Sequence, residues 1–347
     1  MTPRDFVQQP KRWVDQLKRQ PIDAQLQGTY AVVPNFALEL AARYGAPAAG
    51  EELDLSNVEG IIIGSEPVTE SAVNAFWETF GKEEYGLRRE TLRPSYGMAE
   101  ASLIVTTPQT PERPIISHFD RERLAHGEAV IVEKSEDSVA YASCGQSVVA
   151  QDLTIVDPET RAELADGHVG EIWLHGENRA AGYLGRDEET ASTFHNTLGK
   201  RLAEGSRVAN APDDNNWLAT GDLATIVDNQ VYITGRLKDL IVVAGRNHYP
   251  QDIEGTVQEA SAHVRADSIA AFSVEGGSTE ELVLLIERAD GANPAEDEAA
   301  SEVIRSAVSS HHGVTPAAIQ WFNANEIKRT SSGKIARRVA KKEYLAS

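Results

Sequence analysis

Four short segments place chemically useful side chains close together. Arg93-Pro94-Ser95-Tyr96-Gly97-Met98-Ala99-Glu100 puts an aromatic ring, a glycine and a carboxylate within five residues. Those types suit stacking on a base, close approach of backbone, and holding a metal on a phosphate. Thr220-Gly221-Asp222-Leu223 offers a carboxylate after a glycine at a strand start, able to accept two hydrogen bonds from a ribose diol. Gly235-Arg236-Leu237-Lys238-Asp239 is charged and follows a hairpin pattern, and Thr330-Ser331-Ser332-Gly333-Lys334 ends on a lysine that could carry a point charge into another domain's site. The last is not a Walker loop, because Lys328 stands where the first glycine belongs and Ile335 where the metal-binding Ser/Thr belongs. Taken singly, each segment is explained as well by a surface turn, a self-capping aspartate, a polar linker or the turn before a basic helix.

The elements that must position these segments are legible from periodicity. Val58 to Gly64 is a glycine-bounded apolar run, and after Thr69 the residues Val73, Phe76, Trp77 and Phe80 share one helical face before Gly81. The stretch therefore reads strand, loop, helix, with Gly64-Ser65-Glu66-Pro67 at a junction of the kind that binds ligands in open α/β sheets. From about Leu103 to Asn178 short β-rich pieces such as 153–156 and 171–174 predict a β-subdomain. Ala224 to Val227 and Val231 to Thr234 flank Asp228-Asn229 as a hairpin. Beyond Gly235 the order strand (240–244), helix (253–260), strand (268–274), strand (282–286), helix (303–308, ending before Gly313) and strand (319–322) predicts a small α+β domain. Its basic tail, Lys328, Arg329, Lys334, Arg337, Arg338, Lys341 and Lys342, is expected to be mostly a solvated helix end.

Composition narrows the classes. The chain has 347 residues, 41% of them apolar, enough for a real core and for about two domains. Lys plus Arg number 33 against 53 Asp plus Glu, and the net charge of -20 is the wrong sign for a broad nucleic-acid surface. One cysteine, Cys144, allows no internal disulfide, no apolar run approaches membrane-spanning length, and the first ten residues lack a signal-peptide core. A cytoplasmic setting without a transmembrane segment is expected. Gly-x-Gly-x-x-Gly, Gly-x-Ser-x-Gly, His-Glu-x-x-His and paired Cys-x-x-Cys motifs are absent, which leaves dinucleotide binding, serine hydrolysis and structural zinc without direct support.

In their order, the four segments resemble the adenylate-forming superfamily, and most of all its fatty acyl-AMP ligases, through residues 95–100, Ser143-Cys144-Gly145-Gln146, 217–223 and 245–254. Within that family the stretches around Trp217 and from Val231 to Glu254 are most similar to the long-chain ligases of actinobacterial mycolic-acid synthesis. The resemblance implies ATP-dependent conversion of a long-chain fatty acid to an acyl-adenylate, then transfer to a thiol. It further implies that Lys334 bridges the α-phosphate and the substrate carboxylate, that Glu100 holds Mg2+, and that Asp222 and Arg236 hold the ribose. By the same motif positions, Tyr96 packs on adenine, Ser95, Gly97 and Met98 join it in the nucleotide-binding set, Gly64, Ser65, Glu66 and Pro67 line the adenine edge, and Lys238 is the hinge. Pro34-Asn35-Phe36 resembles the segment that walls the acyl tunnel, where an ordinary buried helix start is the plain alternative.

Gln109 to Tyr141 falls where these ligases carry an insertion that keeps the small domain from the CoA-using pose. That favours an acyl carrier protein or polyketide synthase thiol as acceptor, with acyl-CoA synthesis as the second reading and a non-catalytic adenylate- or carrier-binding module as the third. The expected fold is α/β and α+β: residues 1–234 as the C-terminal part of a truncated large domain, 235–239 as hinge and 240–347 as a small mobile domain. One departure is clear. The family's Gly/Ser/Thr-rich phosphate loop has no counterpart before Arg93. The chain is thus expected to be incomplete, inactive alone and to show an exposed apolar edge, with a separate N-terminal half as the partner this would call for.

Overall fold

The computed structural model describes residues 2–18, 28–109, 113–148, 151–276, 280–330 and 334–346. The chain divides into two units, one made of residues 1–118, 140–220 and 224–233, the other of 119–139, 221–223 and 234–347.

In the first unit the strands Thr29–Pro34, Val58–Gly64 and Leu92–Pro94 form a parallel sheet in that order. The helices Asn35–Tyr44 and Glu70–Phe80 share a core with the sheet through Leu38, Ala41, Val73 and Phe76 against Val33, Ile61 and Ile63. The Glu70–Phe80 helix begins as its sequence requires: the Thr69 side chain accepts the amide of Ala72, and Gly81 ends it. The alternate residues Tyr30 and Val32 of the outermost strand are each 70% exposed. Alternate residues share a face, so this strand leaves an apolar face open where parallel sheets are ordinarily covered on both sides. Further along, Gln151–Val156 and Gly170–Gly176 pair antiparallel in a four-stranded sheet completed by Leu218–Val227 and Gln230–Arg236. Asp228 and Asn229 join the last two strands with φ of 50° and 61°, the left-handed pair that a tight hairpin turn demands.

The second unit is built on Val264–Glu275 and Glu280–Arg288, antiparallel, with Ala318–Phe322 parallel to the latter. Both faces of this sheet are covered, so its strands read as unbroken apolar runs. Ile269, Ala271, Leu282, Leu284 and Ile286 meet the helices Pro250–Ala260 and Asp297–His312 on one side. Ala270, Phe272, Val283 and Leu285 meet Ile327 and Ala340, the latter from the helix Arg337–Tyr344, on the other. One expectation needs correction. The β-rich stretch 103–178 is not one body: residues 119–139, with a short helix Arg121–Ala125, belong to the second unit. The basic tail is mostly exposed, as expected, with two arginines drawn to carboxylates. Arg337 pairs with Glu254, and Arg329 lies 3.7 Å from the fully buried Glu287, because a buried carboxylate requires a cation beside it.

Candidate active site

Gly64 ends the central strand of the parallel sheet, and Ser65 follows with φ 66°. The Phe36 amide, in the first turn of the Asn35–Tyr44 helix, donates to Glu66 Oε1 at 2.7 Å, so the Glu66 side chain satisfies one of the helix's unpaired amides. The Pro34-Asn35-Phe36 segment is the start of that helix. The Ser95 amide donates to the Ile63 carbonyl at 2.8 Å, which seats the Ser95–Glu100 segment beside the Gly64–Pro67 loop at the carboxyl end of the sheet. Ser95 Oγ donates to Arg93 O at 3.0 Å, which leaves it the acceptor in its 2.9 Å bond with the Thr107 hydroxyl. Tyr96 and Gly97 pair with the Ile104–Thr107 strand. A Cβ on Gly97 would lie 1.9 Å from the Leu103 carbonyl oxygen. The close approach that calls for glycine there is therefore made by the chain itself. Tyr96 is half-buried, with its hydroxyl 3.7 Å from Met98 Sδ.

Glu100 sits in a single turn of 3-10 helix, Ala99–Ala101, and its Oε1 accepts from the Tyr183 hydroxyl at 2.6 Å. Burial, and then the Glu100 carboxylate, push the Tyr183 phenol up to about 12, so it stays a donor. Sequence reasoning missed Tyr183, which lies 83 residues from its partner and carries no motif of its own. Mg2+ is ordinarily held by one or two carboxylates together with substrate phosphates and water. A lone, half-buried Glu100 fits that mode, and among the described residues no group of three or more His, Cys, Asp or Glu side chains could cage a metal.

The second unit holds the other predicted residues. Asp222 Oδ1 accepts from Arg236 Nε at 3.2 Å, with the aspartate side chain 13% and the arginine 70% exposed. Lys238 is exposed in the short turn Leu237–Asp239. Lys334 is exposed at the end of a segment held by backbone bonds: Thr330 N–H to Lys334 O at 2.7 Å, and Ala336 N–H to Lys328 O at 2.8 Å. Ser331, Ser332 and Gly333 of that motif lie outside the described residues. Arg329 donates to Ser268 Oγ at 2.7 Å and Arg337 makes a two-pronged bond to Glu254 at 2.5 and 2.6 Å, so both flanks of Lys334 are anchored to the small sheet and its helix.

Residues 119–139 are fixed to this unit by Arg121, which donates to both oxygens of Asp252 at 2.9 and 3.1 Å, by a Glu122–Arg246 ion pair, and by Tyr249 Oη donating to Leu124 O at 3.4 Å. Beneath the contact lie His248 and His312, each 5% exposed. Burial pushes both imidazoles down to about 4, helped at His248 by the Arg246 charge and opposed at His312 by Asp252, whose Oδ2 is 3.6 Å from His312 Nδ1. Unfolded, each would bind a proton at its ordinary value near 6.5. The unfolded chain thus binds more protons between about 6.5 and 4, and stability is full above that window and falls as pH drops through it. A loss on the order of 3 kcal/mol per histidine is expected by pH 4, seen as a falling denaturation midpoint that His312→Gln makes shallower.

Residues 1–184 match the AMP-binding enzyme family and residues 238–347 the Disco-interacting protein 2-like, AMP domain family. The chain belongs to the AMP-binding enzyme family. It is 42% identical to the long-chain-fatty-acid–AMP ligase FadD32 of Mycobacterium marinum, over 99% of this chain and 58% of that protein. Its identity to a putative fatty-acid–CoA ligase, FadD21 of Mycobacterium tuberculosis, is 37% over 99% of this chain and 57% of that one. A structure from a study of fatty acyl-adenylate ligases of E. coli and L. pneumophila superposes with a TM-score of 0.79 at 29% identity, covering 99% of this chain and 57% of that chain. The mixed α/β and α+β fold of adenylate-forming enzymes is thereby shown, and the chain spans a little over half the length of the proteins it matches. Among the described residues no helix is long and apolar enough to cross a membrane.

Proposed function

We propose that this chain supplies the ribose-binding, metal-holding and lysine-bearing parts of a site that activates a long-chain fatty acid with ATP and passes the acyl group to a carrier-protein or polyketide-synthase thiol. The observation that carries this reading is the seating of Ser95–Glu100 against the Gly64–Pro67 loop by the Ser95–Ile63 bond, at the ligand-binding end of a parallel sheet. In the first step the carboxylate oxygen bonds to the α-phosphorus and the bond to pyrophosphate breaks. In the second a thiol attacks the acyl carbon and AMP leaves. Neither step needs a protein nucleophile; what the protein must supply is positive charge where negative charge develops. Lys334 supplies it at the α-phosphate, Asp222 accepts from the ribose hydroxyls with Arg236 alongside, Tyr96 packs on adenine, and Lys238 is the pivot. Mg2+, held at Glu100, would neutralise charge on the phosphates when bound.

This sequence holds no Gly/Ser/Thr-rich loop before Arg93 to grip the β- and γ-phosphates. Adenylation by the chain alone is accordingly proposed to be slow, with a separate N-terminal half or an upstream segment supplying the loop. Incubation with ATP, Mg2+ and a C12–C18 fatty acid, with and without the upstream half of FadD32, tests this by mass detection of acyl-adenylate. Formation only with the added half is expected; none in either case would reject the reading.

The choice of a carrier thiol as acceptor is supported by residues 119–139, which the Arg121–Asp252 bond holds within the second unit. Such a tie restrains the rearrangement that CoA use requires. Arg121→Ala should raise acyl-CoA formation relative to carrier loading by several-fold. Equal use of free CoA by the unaltered protein would favour the acyl-CoA synthetase reading instead.

A further inference from the structure

Glu100 is held more closely than a surface carboxylate requires. Its backbone oxygen accepts from the Ala180 amide at 2.7 Å. At the end of the same turn, Ser102 Oγ donates to Asn178 O at 2.8 Å and Asn178 Nδ2 donates to Ala101 O at 3.3 Å. Three bonds therefore stitch residues 100–102 to residues 178–180, and three residues further on Tyr183 Oη donates to Glu100 Oε1 at 2.6 Å.

Tyr183 is itself fixed. Its amide donates to Thr190 Oγ1 at 2.9 Å, and its ring meets the fully buried Phe194 edge-on at 5.2 Å. The preceding residue, Gly182, has φ 148°, and a Cβ there would lie 2.3 Å from Thr190 Cγ2. The loop thus depends on glycine to bring the phenol into place. The result is a carboxylate with one oxygen engaged by a rigid donor. Among the described residues nothing donates to the other oxygen.

We infer that Tyr183 is the positioning residue for Glu100, turning its carboxylate so that a single oxygen, Oε2, is presented to a divalent cation on the nucleotide. The inference rests on the reading that Glu100 holds that cation. A phenol bonded to one carboxylate oxygen fixes the side-chain rotamer and the direction of the remaining lone pairs. Partners of this outer kind set metal affinity by about 10–100-fold when removed. A purely structural tyrosine would instead affect folding and every ligand alike.

The test uses the full chain and equilibrium binding. The affinities for ATP with and without Mg2+, and for AMP, are measured for the unaltered protein, Tyr183→Phe and Glu100→Gln. Phenylalanine keeps the ring against Phe194 and removes only the hydroxyl, and a thermal midpoint confirms that it folds. The expected result is that Mg2+ strengthens ATP binding to the unaltered chain, that this gain falls about tenfold in Tyr183→Phe, that it vanishes in Glu100→Gln, and that AMP affinity stays within about twofold throughout. A full Mg2+ gain in Tyr183→Phe with loss in Glu100→Gln would overturn the role of Tyr183 alone. A full gain in Glu100→Gln would overturn the Glu100 reading and this inference with it. Equal loss of AMP and ATP affinity in Tyr183→Phe would show a structural tyrosine and likewise overturn the inference.

Discussion

Replacing Lys334 by alanine is expected to lower acyl-adenylate formation by about 10²–10³-fold, the scale on which one preorganised charge at a developing anion acts. The side chain is exposed, and the bonds that shape its segment run through backbone atoms, Thr330 to Lys334 and Lys328 to Ala336. Its flanks are held independently by Arg329 on Ser268 and Arg337 on Glu254. Alanine keeps those backbone bonds, and a thermal midpoint measured beside the activity separates an effect on chemistry from one on folding. The measurement is single-turnover adenylate formation by the chain joined to a phosphate-loop-bearing half. Transfer of a pre-formed acyl-adenylate to the thiol should change little, because the charge is needed where the α-phosphate reacts. Equal losses in both steps would mean that Lys334 is structural.

The second large effect is at Asp222. Its carboxylate can accept two hydrogen bonds from a ribose diol, and hydrogen bonds to a charged group are worth about 1.5–3 kcal/mol each. Asp222→Ala should weaken AMP binding by about 10²-fold or more. A thermal midpoint measured on the same variant separates this loss of affinity from any loss of fold. Calorimetric titration with AMP reads the affinity directly. Unchanged affinity would remove Asp222 from the ribose site.

Much of this architecture is written in local pattern. The Glu70–Phe80 helix follows from Val73, Phe76 and Phe80 on one face between a threonine cap and a glycine stop. The hairpin follows from Asp228-Asn229, two residues tolerant of the left-handed region they occupy. What local pattern cannot carry is pairing across long separations. Arg121 and Asp252 are 131 residues apart and Tyr183 and Glu100 are 83 apart, and neither pair leaves a periodic trace. The assignment of residues 119–139 to the second unit was hidden for that reason. Arg329 and Arg337 looked like part of a solvated basic run because a sequence shows charge but not the buried Glu287 or the Glu254 that claims it.

Glycine illustrates the same division. Gly97 stands out as a residue suited to close approach, and it does make one. The partner is the Leu103 carbonyl, just before the neighbouring strand Ile104–Thr107, so the residue shapes the segment that bears Tyr96 and Glu100. Its contribution to the site is made through the backbone path from Ser95 to Glu100.

The central claim is that this chain carries the adenylate-holding part of a fatty-acid-activating site. It is tested most directly by titrating the chain with a non-hydrolysable long-chain acyl-adenylate mimic. The account predicts saturable binding, displaced by AMP and lost in Asp222→Ala with the fold intact. A folded chain that fails to bind the mimic, or that binds it equally well without Asp222, would contradict it.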